Sequence, residues 1–143
     1  MKKVSLLLKL FVAMSLGCLI TVTADAATLE VGEGKTYASI QAAINDADTG
    51  DTVLVHDGTY VENINFLGKI ITVKSVNGAD STIIDGNSSG SVVTFNSGEG
   101  SGSILDGFTI LKGNGNWGGG IRCFSSSPTI TNCIISGNTG YAG

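Results

Sequence analysis

Two stretches of this chain carry the same apolar pattern. Leu105-Asp106-Gly107-Phe108-Thr109-Ile110 aligns on Ile130-Thr131-Asn132-Cys133-Ile134-Ile135 at an offset of 25, so Leu105 falls on Ile130, Phe108 on Cys133 and Ile110 on Ile135. Past one slipped residue, at an offset of 24, Gly113-Asn114 falls on Gly137-Asn138 and Trp117 on Tyr141. Ile84-Asp85-Gly86 matches Leu105-Asp106-Gly107 at an offset of 21. A repeat with so short a period cannot bury an apolar face by itself, so neighbouring repeats must stack to make a core.

The local pattern says what each repeat contains. Thr52-Val53-Leu54-Val55, Ile70-Ile71-Thr72-Val73, Ser91-Val92-Val93-Thr94-Phe95 and Ile121-Arg122-Cys123-Phe124 read as short strands between clusters of Gly, Asn, Asp and Ser. About three short strands per repeat is one turn of a parallel β-helix, in which coils stack at about 4.8 Å and inward side chains form files. Ile84, Leu105 and Ile130 are the expected members of one file, and Phe108 and Cys133 of another. One segment differs: after Ser39, the residues Ile40, Ala43, Ile44 and Ala47 share a helical stripe. Ser39 is the expected N-cap, and Gly50 closes the segment where a left-handed residue is wanted. A solenoid exposes a strand edge at each end, and this single helix is placed to cover the first.

Composition narrows the partners. Glycine at 21 of 143 positions implies many tight turns, while 42% hydrophobic residues exclude a disordered polar chain. The formal charge is −4. Without residues 1–26 the chain loses Lys2, Lys3, Lys9 and Asp25 and keeps 5 basic and 11 acidic side chains, or −6, which argues against nucleic acid and other phosphate-rich partners.

Residues 1–26 read as a signal peptide: Lys2 and Lys3, an apolar run from Leu10 to Val22, then Ala24-Asp25-Ala26 as the cleavage site. The run is shorter than the ~20 apolar residues that span a bilayer, and Ser15-Leu16-Gly17-Cys18 imitates a lipidation site poorly. Cleavage after Ala26 is therefore preferred to an uncleaved anchor or a lipid at Cys18, which predicts a secreted, periplasmic or cell-surface protein with no membrane contact after cleavage. Residues 27–143 then form the cap and first coils. Cys123 and Cys133 are expected to point inward as small buried hydrophobes in preference to a disulfide.

Taken together, Tyr37-Ala38-Ser39-Ile40-Gln41-Ala42-Ala43-Ile44, Gly50-Asp51-Thr52-Val53-Leu54-Val55 and Gly58-Thr59-Tyr60 resemble the N-terminal cap of pectin-lyase-like parallel β-helix proteins. Gly118-Gly119-Gly120-Ile121 through Ser125-Ser126-Ser127-Pro128-Thr129-Ile130-Thr131-Asn132-Cys133 resembles their repetitive surface-protein relatives. The resemblance spans nearly all of the chain beyond the signal. It departs at His56-Asp57-Gly58, where the family usually has a proline before the glycine; an Asp-Gly turn does the same geometric work. The resemblance implies an all-β, right-handed parallel β-helix with a short N-terminal capping helix, secretion, and often a polysaccharide partner. If Trp117 corresponds to Tyr141, the chain stops where the next coil's Gly-Ile strand is due. That predicts the N-terminal piece of a longer solenoid, checked by whether downstream DNA continues the period.

Candidate chemistry is sparse. Enzymes of the resembled superfamily that cleave acidic polysaccharides use clustered carboxylates that bind Ca²⁺ or act as acid and base. Asp85 and Asp106 are the candidates here, aligned on neighbouring coils at an expected ~5–6 Å, where like charges need a cation or a shared proton. Each also begins an Asp-Gly turn, and the next coil has Thr131 in that place, so the turn role is preferred to a Ca²⁺ or catalytic pair. No catalytic residue and no cofactor is assigned. His56 reads as a solvated turn residue, and Lys112 as a surface charge. Arg122 points outward if Ile121 and Cys123 point inward, and Trp117 and Tyr141 recur at one loop site, where rings pack over glycines or stack on sugars. These three are the candidates for glycan contact. Gly113 to Gly120 lacks the Lys-Ser/Thr and the helix of a phosphate loop. The preferred function is a non-catalytic surface scaffold or glycan-binding module. The alternatives are a polysaccharide lyase or glycoside hydrolase whose catalytic coils lie beyond residue 143, and an adhesin-like protein-binding surface.

Overall fold

A computed structural model describes residues 25–141. The signal-peptide reading, the lipidation alternative at Cys18 and the last two residues fall outside them, apart from Asp25 and Ala26. Within the described residues the chain is a parallel β-solenoid of about five turns with one short helix. The first wall is built from β1 (Thr28–Val31), β2 (Thr52–Val55), β5 (Thr72–Ser75), β8 (Ile104–Asp106) and β12 (Thr129–Thr131), hydrogen-bonded in that order. The second stacks β3 (Gly58–Val61), β6 (Thr82–Asp85), β9 (Thr109–Leu111) and β13 (Ile134–Ile135). The third stacks β4 (Ile64–Asn65), β7 (Val93–Phe95) and β11 (Ile121–Cys123), and β10 (Asn114–Gly115) pairs with β14 (Thr139–Gly140). Every strand pairing is parallel, as coiling requires when each wall recurs once per turn.

Strand alternation sends one set of side chains into the coil, and these stack in register. Leu29, Val53, Val73, Leu105 and Ile130 form one file, and Tyr60, Ile84, Ile110 and Ile135 a second. Leu105 thus lies beneath Ile130, and Ile110 beneath Ile135, as the offset of 25 predicts. The offset of 21 does not survive: Ile84 pairs with Ile110 in the second wall, whereas Leu105 pairs with Val73 in the first. The reason is that coil length varies. Thr28, Thr52, Thr72, Ile104 and Thr129 are vertically aligned, so successive turns differ in length, the longest running from Thr72 to Ile104. Asp-Gly therefore recurs at different corners of successive coils. The slip to 24 fails as well, since Asn114 aligns on Thr139 and the register of the preceding strands continues.

Helix α1 (Ile40–Asp46) closes the first coil and buries Ile40, Ala43 and Ile44 completely. At seven residues it is too short to persist alone, so its ends need partners. Ser39 is the N-cap as expected, its Oγ accepting from the Ala42 N–H at 3.3 Å. The Glu62 carboxylate, from the turn after β3, accepts from the N–H groups of Ile40 and Gln41 at 2.8 and 2.9 Å. At the other end Lys69 Nζ donates to the carbonyls of Ile44, Asn45 and Ala47 at 2.7, 2.7 and 2.8 Å. The helix is thus held to the second coil by opposite charges placed on the matching ends of its dipole. Gly50, at φ +93°, turns the chain back shortly past the Ala47 C-cap.

Candidate functional site

The carboxylate pair comes apart first. Asp85 lies on β6, beside Leu111 of the next coil, and Asp106 lies on β8, beside Lys74 and Thr131, so the two stand on different walls. Asp85 is nearly buried and engaged. Its Oδ2 accepts from Lys112 Nζ at 2.6 Å and its Oδ1 from the Asn87 N–H at 2.9 Å. The lysine, then the backbone donor, hold its carboxyl below the usual range. Lys112 is therefore half of an ion pair and not a free surface charge, and it sits at φ +54° at the corner after β9. Asp106 accepts from Asn132 Nδ2 at 2.7 Å, an interaction between turns of adjacent coils. Among the described residues no group of three or more His, Cys, Asp or Glu is arranged to hold a metal ion.

His56 is not a solvated turn residue. It packs half-buried after β2, its Nε2 out of contact with solvent and 3.8 Å from Glu30 Oε1, with no hydrogen-bond partner. The thiols differ from expectation too. Cys133 is partly buried against the core, but Cys123 is exposed, and both are free. Cys123 does occupy an inward position, aligned on the fully buried Phe95; it is uncovered because β11 is the last strand of the third wall. Desolvation of its sulfur, then the negative charge of Glu99, raise the Cys123 thiol pKa, so it is not an activated nucleophile.

One cleft gathers the remaining candidates. About 280 Å³ in volume, it is lined by Trp117, Arg122, Cys123 and Phe124. Arg122 aligns on Thr94 along the outer face of the third wall, and its guanidinium carbon lies 5.8 Å from the centroid of the Phe124 ring. Trp117, in the loop between β10 and β11, keeps 71% of its surface exposed, and Phe124 keeps 61%. Two broad apolar rings left in solvent beside a cation contrast with Phe66, Phe95 and Phe108, which the core buries. Phe124 is not among the contacts expected from sequence, because there it reads as the end of a strand. Tyr141 does not line it: it is 79% exposed, and the register that sets Gly115 on Gly140, continued by one residue, puts it opposite Asn116 and not Trp117.

The glycines between β9 and β11 position this cleft. A Cβ on Gly113 would run into the carbonyl oxygen of Gly119, and one on Gly119 into that of Thr139. The stretch Gly113 to Gly120 is glycine-rich because three backbone segments cross at close range there.

A second concavity, about 460 Å³, lies beside the cap and is lined by Glu33, Ser39, Asp57, Tyr60 and Glu62 among others. Four of its polar side chains are already committed: Ser39 and Glu62 to the helix, Asp57 to Asn77 Nδ2, and the Tyr60 hydroxyl to the His56 carbonyl.

Compared with protein-family models, curated proteins and solved structures, the chain has no match.

Proposed function

We propose that this chain is an exported, non-catalytic β-helix scaffold that holds a carbohydrate chain in the Trp117, Arg122 and Phe124 cleft. The observation that carries the reading is the meeting of two exposed rings and a guanidinium in one concavity of about 280 Å³. Ring faces offer apolar area to the C–H face of a sugar, and the planar fork of an arginine matches a carboxylate in two parallel hydrogen bonds. A uronic-acid oligosaccharide is therefore the preferred ligand class. No carboxylate lines the cleft, and Asp85 and Asp106 are each engaged elsewhere, which supports binding without acid and base chemistry. The resemblance of the cap sequence to pectin-lyase-like proteins favours the same ligand class, and the basic start and apolar run of residues 1–26 favour export.

Trp117 is the single tryptophan of the chain, so its emission reports on this cleft alone. Titration with an oligogalacturonate is expected to change that emission saturably, and more strongly than a neutral oligosaccharide of equal length. Arg122→Ala is expected to weaken the association about tenfold or more, the loss of one charge-assisted contact. An unchanged emission, or the appearance of cleaved or unsaturated sugar, would overturn the reading.

A further inference from the structure

The cap serves the first and third walls and leaves the second open. At the first wall the Glu30 carbonyl of β1 accepts from the Tyr37 N–H at 3.1 Å. At the third, the side chain of Gln41 in α1 stands in for a strand: its Oε1 accepts from the Asn65 N–H at 2.7 Å, and its Nε2 donates to the Asn65 carbonyl at 3.2 Å. Among the described residues the second wall has no such partner. Its order ends at β3, where the Gly58 N–H donates to the Ser81 carbonyl at 2.9 Å and the Glu62 N–H to the Asp85 carbonyl at 3.1 Å. In a parallel pair alternate residues turn both backbone groups to the same neighbour, so Gly58, Tyr60 and Glu62 address β6. Thr59 and Val61 turn theirs the other way, into the concavity of about 460 Å³ beside the cap, and no described residue bonds them there. The gap belongs to the first coil, whose residues 32–39 lead into α1 and add no strand to this wall. Val61 on this edge keeps 63% of its surface exposed.

We propose that the free edge of β3 is a docking site for an extended, basic peptide segment of a partner protein, which adds to the second wall as one more strand. Two N–H groups and two carbonyls on alternate residues are what main-chain pairing of this kind requires, and the concavity gives the incoming strand room beside the cap. Charge selects the occupant. Glu33, Asp57 and Glu62 line the concavity, and no Lys, Arg or His does. The bonds that hold Asp57 and Glu62 come from neutral donors, a side-chain amide and two backbone N–H groups, so their negative charge stays in place. A second copy pairing through the same edge would set these carboxylates against their like, which disfavours it. Lys or Arg at alternate positions of an added strand meets them with the opposite sign. The site shares no lining residue with the Trp117 cleft, so it does not depend on the carbohydrate reading.

Amide exchange of Thr59 and Val61 in the purified chain, followed by NMR as a short end-blocked peptide of alternating Lys and Val is added, tests this. Both amides are expected to exchange fast in the free chain and about tenfold or more slowly with the peptide at saturation, while a peptide of alternating Glu and Val leaves them unchanged. Val61→Pro removes an N–H that makes no bond to β6, so the strand keeps its ladder and the Lys peptide is expected to bind about tenfold or more weakly. The comparison of the two peptides on the wild-type chain stands even if that variant folds poorly. No slowing with the Lys peptide, or equal slowing with the Glu peptide, overturns the proposal. Slow exchange in the free chain overturns it too: if independent of concentration, the chain's own residues cover the edge, and if it sets in as concentration rises, a second copy does.

Discussion

Glu99→Ala is expected to lower the unfolding free energy by about 3 kcal/mol, because it removes the acceptor of three charge-assisted hydrogen bonds. Glu99 is 2% exposed and belongs to the turn between the third wall and the next coil. Its Oε1 accepts from the Gly68 N–H, and its Oε2 from the Ser97 N–H and the Ser126 hydroxyl, each at 2.8 Å. Those donors come from three successive turns of the same corner, so one carboxylate ties three coils together. Burial alone raises its pKa; the donors from Ser97, Gly68 and Ser126 outweigh burial and hold it below 4.5. A folded-state pKa below the unfolded value gives stability that is fully present above about pH 4.5 and is lost as pH falls through the folded value. Glu99→Gln keeps the shape but sets an amide donor against backbone donors. It should unfold at lower denaturant at pH 7 and show a flatter decline in acid, read by urea titration between pH 3 and pH 7. Midpoints equal to the wild type at pH 7 would remove Glu99 from the account.

Phe95→Ala is expected to cost about 4 kcal/mol, the usual range for emptying a large ring from a fixed core. Phe95 is fully buried, its ring centroid 4.4 Å from that of Phe66 with 36° between the planes. In a close-packed core of stacked files, side chains have little room to close such a gap. The effect should reach the sugar cleft as well. Cys123 sits over Phe95 and Ile121 over Val93, and between them Arg122 takes its direction from β11. Calorimetry should show the melting temperature down by roughly 15 °C, and the emission of Trp117 should change in the folded variant, where a cavity confined to the core would leave it alone.

What the sequence discloses here depends on the range over which each signal acts. The strand Thr52–Val55 and the Ser39 cap come from neighbouring residues, and both stand where the pattern places them. Leu105 over Ile130 is legible because the turn between them keeps the period of the sequence repeat. Ile84 over Leu105 is a false match, because the longest turn, from Thr72 to Ile104, intervenes, and a short Asp-Gly word carries no information about which corner it occupies. The strand expected from Ile70 starts later, at Thr72, leaving Ile70 half exposed in the corner before it. Glu62, Lys69 and Glu99 look like ordinary surface charges in the sequence. Their partners lie far along the chain, at separations of 21 for Glu62 to Gln41 and 31 for Glu99 to Gly68, which only the coil brings together. The cleft is half legible: Arg122 follows from alternation along its strand, whereas Phe124 becomes a ring beside a cation only once β11 is found to end at Cys123.

The fold, the files and the cleft all follow from which residues lie one coil apart, and Leu105 reports on that most directly. In NOE spectra of the labelled chain, Leu105 should contact Val73 on one side and Ile130 on the other, with cross-strand amide contacts of the parallel kind. Contacts from Leu105 to Ile84, or the close Hα–Hα pairs of antiparallel neighbours along the first wall, would contradict the account.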